Sequence, residues 1–310
     1  MVRRPLRTAV IGVGYLGRFH AQKYSLLKDC ELVAVVDQNL QKARAVGEEL
    51  SVPFYTESED VFEKVDAVSV VVPTVDHFRI AKSFIEKGIH VLVEKPFTAT
   101  LEEAESLIEI SKRLQVCLQV GHLERFNSVF KNFQDLIGQP QYIESTRISK
   151  FPERGTDVDV ILDLMIHDID LVLTILGEIP SEIEGVGTSI LTDKVDLANA
   201  RLRFSGGCVA NLTASRVSDK AERKMRIFQP GLYLSLDYGT GQVRKLQIDP
   251  SESLDRNDLN PIQYQLEKND ALLEEIQSFL NSIFQKSLPL VSAEAGLHAM
   301  KVAWQIKEQF

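Results

Sequence analysis

The sequence has few cysteines and no long apolar run, and these two shortages exclude whole classes of protein. The three cysteines, Cys30, Cys117 and Cys208, are odd in number and far apart, so they suit neither a disulfide framework nor a zinc ribbon. No run approaches the ~20 apolar residues that a membrane helix needs. Only seven residues precede the first strand-like run, which leaves no room for the apolar core of an export signal. We therefore expect a cytoplasmic protein without a membrane partner.

Basic residues are also scarce relative to acidic ones. The 310 residues include 35 Lys and Arg against 44 Asp and Glu, a net charge of −9. A surface that binds nucleic acid needs a basic excess, so nucleic acid is not the expected partner. No cluster has the spacing of metal ligands, so no metal is expected. The length favours two domains over one.

Residues 1–121 alternate between two hydrophobic periods. Apolar runs such as 31–37 and 89–94 predict strands, and the segments 40–50 and 101–114 predict helices. Continuously apolar strands that alternate with helices are typical of a parallel sheet covered on both faces. This pattern predicts an α/β Rossmann domain with a doubly wound parallel sheet.

From residue 122 onward the pattern changes. A strongly apolar helix is predicted at 159–176, followed by several strand-like runs between 181 and 248 and by helices at 264–285 and 293–308. Strands that follow one another without intervening helices favour antiparallel pairing. The sequence therefore predicts an α+β domain over 122–310, with the last helix a candidate to pack back on the first domain.

A glycine-rich turn connects the first predicted strand to the first predicted helix. In this GxGxxG pattern the backbone can approach a pyrophosphate at the positive end of the helix. Asp37 ends the next strand, 20 residues beyond Gly17, where an acid accepts hydrogen bonds from ribose hydroxyls. A carboxylate there repels a 2′-phosphate, so NAD is favoured over NADP; the alternative is a glycine turn with an incidental acid. The predicted cofactor-binding residues are Gly12, Gly14, Tyr15, Leu16, Gly17, Asp37 and Gln38.

Lys95 follows the apolar strand 89–94 and precedes Pro96. In open parallel sheets, ligands bind outside the carboxyl ends of the strands. A lysine beside an oxidised nicotinamide would have a positive neighbour and be partly desolvated, which would make it a better proton relay or hydrogen-bond donor. The alternative is a solvated lysine at the end of a strand.

The predicted helix 159–176 carries a polar stripe. Asp159, Asp163, His167 and Asp170 are spaced 4, 4 and 3 residues apart, on one face of an otherwise apolar helix. Unpaired carboxylates in a core are strongly unfavourable, so the stripe must be paired or must face a cleft. An imidazole among carboxylates suits general acid–base catalysis. The alternative is a structural network within the helix packing.

Taken together, these motifs resemble the Gfo/Idh/MocA oxidoreductases over essentially the whole chain. The resemblance is carried by the glycine turn at 12–17, by Asp37, by Glu94-Lys95-Pro96 and by Asp163-x-x-x-His167. It implies that Lys95, Asp163 and His167 surround the reacting carbon, with His167 as proton acceptor. It also implies a large, mostly antiparallel sheet in the second domain that forms homodimer or homotetramer contacts. Pro73, Thr74 and His77 resemble the family's cofactor-lining turn, and Glu94 and Lys95 complete the implied cofactor-binding set.

Two further segments resemble the branch of this family that acts on UDP-N-acetylglucosamine. They are residues 120–127 and the run from Phe151 to Asp159. This finer resemblance implies oxidation of the sugar 3-hydroxyl in amino-sugar synthesis for lipid A. Arginine pairs well with phosphate oxygens, and Arg125, Lys150 and Arg154 are candidates to meet a diphosphate, although solvated surface positions are an alternative of at least equal weight. The implied substrate-binding residues are Lys95, Arg125, Asn127, Arg154, Asp163 and His167.

The sequence therefore predicts an NAD-dependent dehydrogenase of a secondary sugar hydroxyl, with a nucleotide sugar as substrate. Two alternatives stay open at this point. One is a dehydrogenase of a free sugar, an inositol or another small alcohol. The other is a regulator that senses a nucleotide on the same scaffold without turnover, although such a regulator has no need of Lys95 and His167.

Overall fold

The computed structural model describes residues 4–151, 158–248 and 260–310. The chain divides into two compact units. The first unit comprises Met1–Leu123 and Asp270–Leu297, and the second comprises Glu124–Asn269 and His298–Phe310. The sequence pattern placed a single boundary after residue 121, whereas here the segment Asp270–Leu297 also belongs to the first unit.

The first unit contains a six-stranded, wholly parallel sheet with the strand order β3-β2-β1-β4-β5-β6. This is the doubly wound order of a dinucleotide-binding fold, so the predicted Rossmann domain is confirmed. Its central strands are buried on both faces, as the apolar runs required. Its strands are β1 (Leu6–Ile11), β2 (Cys30–Val36), β3 (Phe54–Tyr55), β4 (Ala67–Val70), β5 (His90–Glu94) and β6 (Leu118–Gly121), and its helices are α1 (Tyr15–Leu26), α2 (Leu40–Leu50), α3 (Thr74–Glu86) and α4 (Leu101–Leu114).

The second unit contains an eight-stranded sheet, and the predicted α+β class is confirmed. The strand order is β14-β13-β12-β11-β7-β10-β9-β8, and of these described strands only β7 and β10 pair in parallel. Its elements are α5 (Ser128–Phe133), β7 (Tyr142–Ile148), a π-helical segment (Ile161–Met165), α6 (Ile166–Leu176), β8 (Glu182–Thr188), β9 (Leu197–Arg203), β10 (Val209–Ser215), β11 (Glu222–Gln229), β12 (Leu232–Asp237), β13 (Gln242–Gln247) and β14 (Ile262–Gln265).

Two helices close the chain, α7 (Ala271–Gln285) and α8 (Ala293–Lys307). The prediction of one helix from 264 to 285 was wrong at its start. The chain first forms β14, and helix α7 begins only after Asp270, whose side chain accepts a hydrogen bond from the Leu273 N–H at 3.0 Å. Helix α7 buries Leu272, Ile276, Phe279 and Leu280 in the apolar core of the first unit.

Strand β7 was not predicted, although it lies in the middle of the second sheet. Its side chains alternate between buried and partly exposed, but two of the buried positions carry Ser145 and Arg147. A strand with polar residues on its inner face does not show the apolar alternation that identifies a half-buried strand.

Across the described ranges, no helix is both long enough and apolar enough to cross a membrane.

Candidate functional site

The glycine turn between β1 and α1 is fixed by close backbone packing at two of its glycines. Gly12 has a φ of +87°, and a Cβ at this position would lie 2.5 Å from the carbonyl oxygen of Val71. A Cβ at Gly17 would lie 1.8 Å from the carbonyl oxygen of Gly12. A side chain at either position would force the turn away from the helix or the sheet, so both glycines are needed to build the turn.

Gly14 differs from these two, because its surroundings are open. A Cβ at Gly14 would meet no atom of the described chain within 4 Å. Gly14 is the first residue before helix α1, whose first turn contains no acidic side chain and, in the described part of the protein, no side-chain cap. Tyr15 is 75% exposed beside it. An open, uncapped and uncharged helix amino terminus suits a phosphate group.

Asp37 lies at the carboxyl end of β2 and holds this turn. Its Oδ2 accepts a hydrogen bond from the Val13 N–H at 3.0 Å, and its Oδ1 accepts one from the Asn39 N–H at 2.9 Å. These bonds fix the carboxylate beside the glycine turn, where an acid meets the ribose of a dinucleotide. The following residue, Gln38, is exposed. The residues present therefore fit NAD, and the negative charge of Asp37 disfavours a 2′-phosphate.

The carboxyl end of β5 carries a buried, hydrogen-bonded pair of side chains next to Lys95. The Nε2 of His20 donates to the Oε1 of Glu94 over 3.0 Å, and both side chains are almost fully buried. Burial alone would raise the pKa of Glu94, but the hydrogen bond from His20 and the nearby positive charges hold it below its usual value. The Oε2 of Glu94 accepts the Lys95 N–H at 3.3 Å. Lys95 itself is partly exposed, and its peptide bond to Pro96 is cis.

The turn after β4 leads into helix α3 through Pro73 and Thr74. His77, in the first turn of that helix, is 1% exposed. Its Nδ1 lies 2.9 Å from the carbonyl oxygen of Pro96, and its Nε2 lies 2.9 Å from that of Val72. Both ring nitrogens therefore face the protein backbone, and a contact between His77 and a cofactor stays a prediction.

In the second unit, the predicted helix 159–176 begins with a π-helical segment, Ile161–Met165, which contains Asp163. The Ile166 N–H donates to the Ile161 carbonyl, an i→i+5 bond. Such wide turns are rare and frequently occur at functional sites. Asp163 and His167 are both partly exposed on this helix, whereas most of their neighbours are buried.

The predicted polar stripe separates into a buried pair, Asp159 and Asp170, and a partly exposed pair, Asp163 and His167. The two buried members each have a cation: Asp159 lies 2.7 Å from the Nζ of Lys307, and Asp170 binds Arg125 through two bonds of 2.8 and 2.5 Å. Asp159 also accepts the Ile161 and Leu162 N–H groups at 3.0 Å and so caps the π-helical segment.

A third buried carboxylate, Asp168, and its partner Arg147 were not predicted as site residues from the sequence. Asp168 accepts two hydrogen bonds from Arg147, at 3.1 and 2.9 Å, and the same guanidinium donates to Glu124 at 2.8 Å. The carboxylates of Asp168 and Glu124 raise the pKa of Arg147 further, although burial alone would lower it. Because Asp168 directly follows His167 in the chain, this network anchors the turn that carries His167.

Two predicted substrate ligands, Arg125 and Asn127, bind other residues of the chain. The bidentate pair with Asp170 favours a structural role for Arg125 over the predicted phosphate contact. The Oδ1 of Asn127 accepts the Val129 N–H and caps helix α5, while its Nδ2 donates to the Oε2 of Glu124 at 3.1 Å. Arg154 lies outside the described residues. In the described part of the chain, no group of three or more His, Cys, Asp or Glu side chains could hold a metal ion.

Family models match most of the chain. A model described as an oxidoreductase family with an NAD-binding Rossmann fold (GFO_IDH_MocA) matches residues 6–122, and the GFO/IDH/MocA C-terminal domain matches residues 125–229. The first match spans the glycine turn, Asp37 and Lys95, and the second spans Asp163 and His167.

Two curated relatives match along almost their full length. UDP-N-acetylglucosamine 3-dehydrogenase of Acidithiobacillus ferrooxidans is 38% identical over 97% of this chain and 96% of its own. Myo-inositol 2-dehydrogenase of Thermotoga maritima is 27% identical over 98% of this chain and 96% of its own. A solved structure of the A. ferrooxidans enzyme superposes with a TM-score of 0.91 and covers 99% of this chain and 98% of its own.

Proposed function

Because the chain belongs to the Gfo/Idh/MocA family of oxidoreductases and has its NAD-binding Rossmann domain, we propose that it oxidises the 3-hydroxyl of UDP-N-acetylglucosamine with NAD. The single observation that carries this choice of substrate is the 38% identity, over nearly the whole chain, to a dehydrogenase named for that reaction. The product would be a 3-keto sugar nucleotide, a precursor suited to amino-sugar synthesis for lipid A.

Three residues carry the proposed chemistry. When bound, NAD supplies the nicotinamide ring that accepts the hydride from the carbinol carbon. The imidazole of His167 accepts the hydroxyl proton, as a general base does. The ammonium group of Lys95 donates a hydrogen bond to the same oxygen and stabilises its developing negative charge. Asp163 orients the sugar or the imidazole.

The surroundings of Lys95 support this role. Its backbone is held by the carboxylate of Glu94, which is itself fixed by buried His20. Lys95 therefore extends from a rigid strand end, and a catalytic group on a rigid element is positioned more accurately than one on a mobile loop.

Oxidation of an inositol is the second candidate, and the 27% identity to myo-inositol 2-dehydrogenase favours it specifically. The two candidates are distinguished by recording NADH absorbance with UDP-N-acetylglucosamine, myo-inositol and glucose in parallel. We expect reduction of NAD with the nucleotide sugar and little with the other two. Faster turnover of myo-inositol would exclude the first candidate, and binding of NAD without turnover of any sugar would favour a sensor.

We further infer that the protein forms a homodimer or homotetramer through the second sheet. Tyr142, Phe228 and Tyr233 form an aromatic cluster on three adjacent strands, with ring centroids 5.8 and 5.0 Å apart, and Phe228 is 36% exposed. Exposed aromatic residues of this kind are enriched at protein interfaces. Sedimentation velocity should show a dimer or tetramer that Phe228→Glu weakens; a wild-type monomer at micromolar concentration would contradict the inference.

A cytoplasmic location is proposed from the cysteines. All three thiols are free. Burial raises the pKa of Cys30 and Cys208 to about 11 and that of Cys117 to about 12. Such thiols stay protonated, and it is the lack of a disulfide among the three described cysteines that suits a reducing compartment. Fractionation of the native cells should place the protein with the cytoplasmic enzymes; recovery outside the cytoplasm would contradict this.

A further inference from the structure

His77 connects two neighbouring strand ends of the first sheet. Strands β4 and β5 pair in parallel, so Val72, just after β4, and Pro96, just after β5, lie at the same edge of the sheet. The His77 ring lies between their carbonyl oxygens, 2.9 Å from each. One of these carbonyls belongs to the residue that follows Lys95, and the other to the turn that precedes helix α3.

We propose that His77 is a positioning residue that fixes Lys95 through the bond from its Nδ1 to the Pro96 carbonyl. The inference rests on the proposed function, in which Lys95 is the catalytic cation. His77 has no direct part in the chemistry, because its ring is 1% exposed and faces the backbone.

The Pro96 bond has priority over the Val72 bond for a physical reason. A neutral imidazole has one N–H, so it can donate to only one of two carbonyls. The Pro96 contact is buried, whereas the Val72 contact is partly buried and its carbonyl can find water. A buried carbonyl without a donor costs more than one that water can reach.

The protonation state of the ring does not alter this priority. Burial lowers the pKa of His77, while the Val72 and Pro96 carbonyls and the charge of Glu94 oppose that fall. The neutral ring donates to Pro96, and the cationic ring donates to both carbonyls. The Pro96 bond is therefore present in both states.

Asparagine and glutamine separate the two contacts. The amide nitrogen of Asn can replace Nδ1, and that of Gln can replace Nε2. His77→Asn thus keeps a donor for Pro96, and His77→Gln keeps one for Val72. His298, which is exposed on α8, provides a matched control as His298→Gln.

The experiment measures hydrogen exchange by mass spectrometry in the peptide that spans residues 92–99, together with kcat and the KM for NAD. In His77→Asn we expect exchange and kcat within about threefold of the wild type. In His77→Gln we expect about tenfold faster exchange and about tenfold lower kcat, with the KM for NAD nearly unchanged. The control should match the wild type in all three. Equal exchange rates in the two His77 variants would overturn the proposal, and so would faster exchange and lower kcat in His77→Asn alone.

A second measurement needs neither variant to fold. The ¹⁵N chemical shifts of the His77 ring in the wild-type protein report which nitrogen carries a proton. A protonated Nδ1 is expected, and an unprotonated Nδ1 would overturn the proposal. If the wild type turns over no sugar, the proposed function falls, while the exchange and tautomer results still decide whether His77 holds the strand end.

Discussion

The guanidinium of Arg147 holds the carboxylate of Asp168 through two hydrogen bonds, of 3.1 and 2.9 Å, and Asp168 is the residue next to His167. Both side chains are almost fully buried. The strand that carries Arg147 therefore fixes the helical turn that carries the proposed base. Removing one partner of a buried pair leaves an uncompensated charge in the core, which costs far more than the loss of an exposed pair.

Arg147→Ala should lower the free energy of unfolding by about 3–5 kcal/mol, because it leaves the buried carboxylate of Asp168 without its cation and removes the nearer cation of Glu124. Arg226 provides a matched control on the adjacent strand, since it pairs with Glu144 at 2.8 Å while 41% exposed. Arg226→Ala should cost less than about 1 kcal/mol. Urea unfolding of both variants checks this, and equal losses would contradict the structural role of the buried pair.

The local parts of the site could be predicted from the sequence, because their signals lie within a few residues. The glycine turn, Asp37 and the strand end before Lys95 are each defined by short patterns, and the structure places all of them at the carboxyl edge of one parallel sheet. The bounds of α4 were also predicted correctly, at 101–114. Its capping box of Thr100 and Glu103 is a local signal of the same kind.

The partners of the buried charges could not be predicted in this way. Arg147 is 21 residues from Asp168 and 23 from Glu124, so only the folded chain brings them together. The same pairing explains why strand β7 was not predicted, because a charged residue, Arg147, lies at one of its inward positions. The π-helical segment was equally invisible, since the spacing of Asp163 and His167 also suits an ordinary α-helix.

The two glycines of the turn should respond differently to alanine. Gly14 has open space around it and a φ of −65°, so Gly14→Ala should unfold at the same temperature as the wild type. Its Kd for NAD should rise about tenfold or more, because the new methyl group occupies the space in which the phosphate meets the backbone. Gly17→Ala meets the Gly12 carbonyl and should lower the free energy of unfolding by more than about 2 kcal/mol. Scanning calorimetry measures the unfolding, and titration calorimetry measures the Kd for NAD. Unchanged NAD affinity in a folded Gly14→Ala would remove this turn from the cofactor site.

Asp196 should make stability fall in acid. It accepts the N–H groups of Ile190, Leu191 and Thr192 at 2.8, 2.6 and 2.9 Å, and Arg216 at 2.8 Å. Burial alone would raise its pKa, but these donors hold it well below its usual value. The contribution of the ionised Asp196 to the free energy of unfolding is therefore complete above the unfolded pKa of about 3.9, and it is lost as the pH falls below that value.

Asp196→Asn tests this contribution, because it keeps the shape of the side chain and removes the charge. The wild type should be more stable than the variant at pH 7, and the difference should narrow as the pH falls from about 5 to about 3. Urea unfolding at each pH gives the two curves. A difference that stays constant with pH would show that the charge of Asp196 does not stabilise the fold.

Lys95→Ala should lower turnover by ~100-fold or more, the scale of lost acid–base assistance, while NAD still binds. Lys28→Ala, at an exposed position of the same unit, is the matched control and should keep wild-type turnover. Steady-state rates and a fluorescence titration with NADH measure the two effects. Near-normal turnover in Lys95→Ala would remove Lys95 from the mechanism.

In the proposed reaction, hydride leaves carbon 3 of UDP-N-acetylglucosamine. The most direct test supplies the nucleotide sugar with deuterium at that carbon alone and measures the mass of the NADH formed. We expect NADH that carries one deuterium and that is formed more slowly than from the unlabelled sugar. Unlabelled NADH formed at the ordinary rate would place the oxidation at another carbon and contradict the proposed reaction.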